Sequence, residues 1–184
     1  MALPVTTRMW KLRKILITGR TGLAEALSKT YSNDLVTCVS KSTGHDINCV
    51  DQWGVDYLDY DCVFNCAYDG IGQQLVLEYF FHHWHSDATK QLITVGSKVI
   101  TQPRIDQERD REYWPYRAHK QILQSMFDSM ITNAKCDLKI INPGAIDTPM
   151  IEHQKIRKMP TKFLADKIYN FAADRTNKRL DIWI

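Results

Sequence analysis

At 184 residues, with 44% apolar and 24% charged side chains, the chain has the balance of a soluble globular protein and the length to bury a core within one domain, residues 1–184. A net charge of +3 is too small to point to nucleic acid. No apolar run approaches the roughly 18 residues that a membrane span needs, and Met1 to Lys14 lacks the apolar centre of a signal peptide. The five cysteines, Cys38, Cys49, Cys62, Cys66 and Cys136, are odd in number and several lie in or beside apolar runs. Free thiols in a reducing, cytoplasmic setting fit them better than a disulfide framework.

Residues 1–12 read as an irregular lead-in. Lys14-Ile15-Leu16-Ile17 is a short apolar run ending in Thr18-Gly19, as a buried strand would. Arg20, Thr21 and Gly22 follow, and Leu23, Ala26, Leu27 and Tyr31 then keep helical spacing. A strand, a Gly-containing turn and a helix aim helix N-terminal N–H groups at a pyrophosphate; a plain strand-to-helix turn is the alternative. Leu35 to Val39 is a second strand, closed by Ser40-Lys41-Ser42. A basic residue here suits a 2′-phosphate and an acidic one a ribose hydroxyl. Lys41, with Arg20, therefore points to NADP rather than NAD, against a role for both as solvated cations.

Too few residues separate Lys41 from Asp46-Ile47 for a parallel crossover. The sheet edge is expected to carry a stub there, with Asp46 near an adenine amino group. Asp61 to Ala67, containing Asn65 and Cys66, is another buried strand. Residues 71–85 form a helix apolar nearly all round, which must be buried on more than one side. Within the cluster His82, His83 and His85, positions 82 and 85 stand one turn apart at the helix end with no third ligand, so no metal is expected.

Gln91 to Val95 is a strand ending in Gly96-Ser97. Residues 101–115 read as a charged loop, and Tyr116 as the opening of an amphipathic helix over 116–132. Tyr116 and Lys120, four apart, share one helix face. A lysine near a phenol lowers its pKa, which fits Tyr116 for acid–base work near neutral pH, with Ser97 bonded to the same oxygen. Leu138 to Ile141 is a strand, followed by Asn142-Pro143-Gly144-Ala145-Ile146-Asp147-Thr148. A basic segment, 153–158, precedes a helix at 161–173, and residues 180–184 alternate as a last strand. Strands alternating with helices mean an α/β, three-layer, doubly wound parallel sheet with its third-strand region shortened.

This order resembles the short-chain dehydrogenase/reductase family over most of the chain. Thr18-Gly19…Gly22…Ala24 resembles its glycine motif, one residue short and with Ala24 or Glu25 where a Gly is usual. Asn65-Cys66-Ala67-Tyr68 resembles its Asn-Asn-Ala-Gly. Ser97, Tyr116 and Lys120 resemble its catalytic set, at a wider Ser-to-Tyr interval. The Pro143-Gly144 segment resembles the stretch beside the nicotinamide, where the resemblance implies that Ile146 and Thr148 hold the carboxamide. The usual catalytic Asn has no counterpart; Asp69 falls near its place. The substrate lid after Met150 is short.

The resemblance implies NADP(H)-dependent carbonyl reduction or alcohol oxidation of a small molecule, with NAD(H) possible, by a homo-oligomer (a dimer or tetramer) paired through helices 71–85 and 116–132. Tyr116 would move the proton, Lys120 would lower its pKa and bind the ribose, and Ser97 would orient the oxygen. A non-catalytic NADP(H) sensor or scaffold on the same fold is the alternative. A third reading is an α/β domain that binds no dinucleotide.

Overall fold

The structure is a computed structural model that describes residues 12–101, 107–152 and 154–183, with the side chains of 107–113 outside the description. The lead-in up to Lys11, residues 102–106 of the charged loop, His153 and Ile184 lie outside the described residues.

Six parallel strands form one sheet: β1 (Lys14–Thr18), β2 (Leu35–Val39), β3 (Cys62–Asn65), β4 (Gln91–Val95), β5 (Asp137–Pro143) and β6 (Arg179–Ile182), in the order β2-β1-β3-β4-β5-β6. Among the described residues, four α-helices connect them: α1 (Leu23–Thr30), α2 (Gly72–Trp84), α3 (Gln107–Met130) and α4 (Thr161–Ala173). Successive side chains of a strand point to opposite faces. Ile15 and Ile17 accordingly join α1 and α4 in one core, with Leu27, Phe64, Leu164 and Ile168. Leu16 joins α2 and α3 in the other, with Val63, Leu77, Phe80, Leu92 and Leu123. A sheet covered on both faces explains why β1, β3 and β4 read as continuous apolar runs.

The expected stub is present. Residues 41–59 form three short 3-10 turns, Lys41–Thr43, Ile47–Gln52 and Val55–Asp59, which leave β2 as the sheet edge. The second turn packs on α2: Ile47 and Val50 are buried in the same core as Val76, Leu77, Phe80 and Trp84. This cover is how α2 comes to be buried on more than one side within a single chain, where those four side chains are at most 2% exposed.

The helix carrying Tyr116 begins at Gln107, nine residues earlier than expected, and contains Pro115. Gln, Glu and Arg favour helix when their charges alternate. Pro115 therefore lies in the helix interior, where a proline leaves one backbone hydrogen bond of the helix unmade. Strand β5 also runs on through Asn142 and Pro143, which pair with Asp181 and Ile182 of β6.

Candidate functional site

The C-terminal ends of β1, β3, β4 and β5 lie along one end of the parallel sheet, where α/β folds open a crevice, and Thr18–Gly22, Asn65–Ala67, Ser97 and Pro143–Thr148 stand at those ends. At β1, Thr18 Oγ1 accepts 2.9 Å hydrogen bonds from the backbone N–H groups of both Cys66 and Ala67, tying the end of β1 to the end of β3. Gly19 turns the chain with φ 102°, its N–H donating to Val39 O at 2.7 Å. Gly22 caps α1 with φ 58°, and a Cβ there would stand 3.0 Å from Thr148 Cγ2. Only glycine suits that backbone, and the close approach brings Thr148, from the segment after β5, against the turn. Arg20 and Thr21 are exposed on the turn, and among the described residues Arg20 forms no salt bridge. Leu23 is buried beneath it.

At the edge, Ser40, Lys41, His45, Ile47, Ala67 and Asp69 line a cleft of about 210 Å³. Asp46 caps the following turn, accepting from Asn48 N at 2.9 Å. Lys41 does not stand free: Nζ is 2.5 Å from Asp69 and 3.3 Å from Asp46. These two carboxylates raise its pKa, Asp69 most. Asp69 thus pairs with Lys41 at the cleft and stands on the loop before α2 rather than within the helix.

Ser97 and Tyr116 come together. Ser97 is 8% exposed; its Oγ accepts from Val99 N at 3.2 Å and its side chain also hydrogen-bonds Tyr116. Tyr68, which stands where the family has a glycine, packs edge-on against Tyr116 with centroids 4.8 Å apart, and its hydroxyl lies 3.0 Å from His119 Nδ1.

Lys120 is 3% exposed, with Nζ 5.4 Å from the Tyr116 ring centroid. It donates to Gln73 Oε1 at 2.6 Å and to Val95 O at 2.7 Å. Burial pushes its pKa down to about 7. Tyr116 moves the opposite way to the sequence expectation: burial raises its pKa, the Ser97 hydrogen bond opposes that, and Tyr68 adds to the rise. The physical reason is that loss of water disfavours both charged forms, and the donated bonds of Lys120 go to an amide and a carbonyl rather than to the phenol.

Gln73 is the residue that sequence reasoning missed. It lies in the first turn of α2, 1% exposed, and its Nε2 donates to Asn65 O and Val95 O at 2.8 Å each. Asn65 Nδ2 returns a 2.7 Å bond to Gln73 O. The signal was present: a glutamine pair, Gln73-Gln74, at the start of a helix otherwise apolar must find buried partners. Cys66 stands beside this group, its thiol pushed up to about 12 by burial. Beyond β5, Gly144 N donates to Ile182 O at 2.9 Å, and Ile146 bridges to Met159. That pairing fixes the segment Pro143–Thr148 against the crevice.

No protein-family model matches the chain, and no curated protein matches it. Solved structures do. One is a short chain dehydrogenase from Burkholderia cenocepacia J2315 in complex with NADP, at 14% identity and a TM-score of 0.75, with 94% of this chain and 88% of the other covered. A small-chain dehydrogenase in complex with NADPH matches at 11% identity and a TM-score of 0.74, covering 93% and 96%. The 3-ketoacyl-(acyl-carrier-protein) reductase of Brucella melitensis, complexed with NADH, matches at 16% identity and a TM-score of 0.71, covering 92% and 96%. At such identities the likeness is one of fold: the sheet and helices described above are those of short-chain dehydrogenases and reductases, over nearly the whole chain.

Proposed function

We propose that the chain is an NADP(H)-dependent oxidoreductase of the short-chain dehydrogenase/reductase family, acting on the carbonyl or alcohol group of a small molecule. The observation that carries this reading is the convergence of Ser97, Tyr116 and Lys120 at the crevice that begins with the Gly19–Gly22 turn.

The residues fit a dinucleotide. The turn presents a positive-φ backbone to the start of α1, as a pyrophosphate site requires. The cleft at Ser40, Lys41 and Ile47 suits an adenosine, with Asp46 at its edge. In this reading Asn65, Cys66, Ala67, Pro143, Gly144, Ile146 and Thr148 would hold the remainder of the dinucleotide between the turn and Tyr116. Lys120 is an ammonium buried without a carboxylate, which suits a ligand hydroxyl as its remaining partner.

When bound, the nicotinamide supplies or accepts the hydride. Tyr116 gives its proton to the substrate oxygen in reduction, and its raised pKa keeps that proton available at neutral pH. Ser97 orients the oxygen. A phenolate forming on Tyr116 favours the ammonium form of Lys120, so each charge stabilises the other.

A second reading, a non-catalytic NADP(H)-binding protein, is favoured by one observation. Lys120 spends two of its three donors inside the protein, and Tyr68 packs on Tyr116. Titration of NADPH and NADH, followed by turnover of a panel of carbonyl compounds, separates the two. Binding with reduction supports the enzyme, binding without any turnover the second reading, and no binding overturns both. A cytoplasmic setting, a homo-oligomeric state, and no nucleic-acid or membrane partner complete the proposal. Among the described residues no helix is long and apolar enough to cross a membrane.

A further inference from the structure

Lys41 is the cation placed to meet a 2′-phosphate, and its ammonium is already engaged. The two carboxylates at 2.5 and 3.3 Å come from different parts of the chain: Asp69 from the loop between β3 and α2, and Asp46 from the cap of the turn after β2. The Lys41–Asp69 pair therefore bridges two walls of the cleft. Asn48 ties the acids together, its Nδ2 lying 3.1 Å from both Asp46 Oδ1 and Asp69 Oδ2.

One ammonium and two carboxylates sum to a single negative charge. A phosphate ester carries about −1.5 to −2 at neutral pH and meets this group as a like charge unless an acid lets go of Lys41. Asp46 is the worse candidate to let go, because its carboxylate is also a turn cap held by a backbone N–H. Among the described residues, the Asp69 carboxylate is held by the side chains of Lys41 and Asn48 alone. Both members of the Lys41–Asp69 pair are well exposed, 62% and 48%, so water and salt weaken it.

We propose that Asp69 is a specificity-determining residue: it competes with the 2′-phosphate of NADP(H) for Lys41 and so narrows the discrimination between NADPH and NADH. This rests on the cofactor reading given above. Asp69→Asn keeps the shape and the hydrogen-bonding capacity of the side chain and removes the competing charge.

The test is fluorescence titration of NADPH and NADH into the unmodified protein, Asp69→Asn, Lys41→Ala and the double variant. Asp69→Asn is expected to raise the NADPH-to-NADH affinity ratio about threefold to fivefold, the scale of one exposed ion pair. Most of that gain disappears once Lys41 is alanine, because the two residues act through one contact. If both cofactors bind and the ratio is unchanged in Asp69→Asn, or the gain persists in full without Lys41, the inference is overturned while the cofactor reading stands. If neither cofactor binds to the unmodified protein, the cofactor reading fails and takes the inference with it.

Discussion

Gln73 Oε1 accepts a 2.6 Å hydrogen bond from Lys120 Nζ at a depth where neither residue is more than 3% exposed. The partner is an amide, so the ammonium is hydrogen-bonded but not charge-balanced. That combination is what allows burial to bring Lys120 down to about 7.

Gln73→Glu supplies the missing charge at nearly constant shape. Lys120 should then titrate at least about two pH units higher, read by NMR of the labelled lysine side chain. The alkaline limb of any pH–rate profile should move with it. An unchanged Lys120 titration would mean that Gln73 does not govern the charge of the ammonium.

Lys120→Met tests the same depth through stability. An unfolded lysine titrates near 10.5 and the folded one near 7, so between those values the unfolded chain binds more protons and stability rises with pH. Below about pH 7 the cost of burying the ammonium is present in full, and above the unfolded value it is gone. Any stability gain of the variant over the parent should therefore be largest at neutral and acid pH and shrink toward about pH 10, measured by urea denaturation. A constant difference across that range would contradict the lowered pKa.

Tyr116→Phe keeps the ring packed against Tyr68 and removes only the hydroxyl that meets Ser97. Turnover should fall by about a hundredfold or more, while dinucleotide affinity measured by fluorescence is retained. Near-normal turnover would remove Tyr116 from the chemistry.

Gly96→Ala places a Cβ 2.0 Å from Asn142 Oδ1 and 3.3 Å from Ile140 Cδ1. Asn142 has little freedom to retreat, since its Nδ2 donates to Gln124 at 3.0 Å and Asp181 at 3.1 Å. The substitution should destabilise the protein by about 1–3 kcal/mol, with a smaller cost in an Asn142→Ala background. Equal costs in the two backgrounds would show that the clash lies elsewhere.

The oligomeric state is read by sedimentation at micromolar concentration. A species at twice the chain mass of 21.4 kDa is expected. The face proposed for pairing is carried by α2 and α3; Ile71, at the cap of α2, and Trp114 and Ile122 of α3 are each about half exposed. Since the turn at Ile47–Gln52 already covers much of α2, the pairing surface is smaller than the sequence suggested, and a species at the chain mass would reject it.

The fold was legible because each strand of this sheet announces itself twice, as an apolar run and by the turn residue closing it. Thr18-Gly19 and Gly96-Ser97 did this for β1 and β4. Lengths were less legible where a signal was local and its override was not. The charged run before Tyr116 read as a loop because it carries no apolar periodicity, yet the helix already begins at Gln107. Within the site, residue identity brought Ser97, Tyr116 and Lys120 together, but their ionisation depends on burial. Spacing puts Lys120 one turn from Tyr116; only the tertiary structure puts Gln73 and Val95 O in front of its ammonium. Lys41 was read as a cation for the same reason, and its neutralisation by Asp69, 28 positions away, is a long-range fact.

The loss of the strand that would lie beyond β2 has a consequence for handling the protein. An edge strand is a template for pairing with another chain, and β2 opens with Leu35, 52% exposed. What shields that edge is the turn region after it: Tyr60 donates to Thr37 Oγ1 at 2.7 Å, stacks on Tyr57, and Tyr57 in turn meets His45 and Trp53. This aromatic strip is the guard against edge-to-edge aggregation, and through His45 it also backs the cleft, so trimming or loosening residues 53–60 would lower the soluble yield and disturb the adenosine end of the site together.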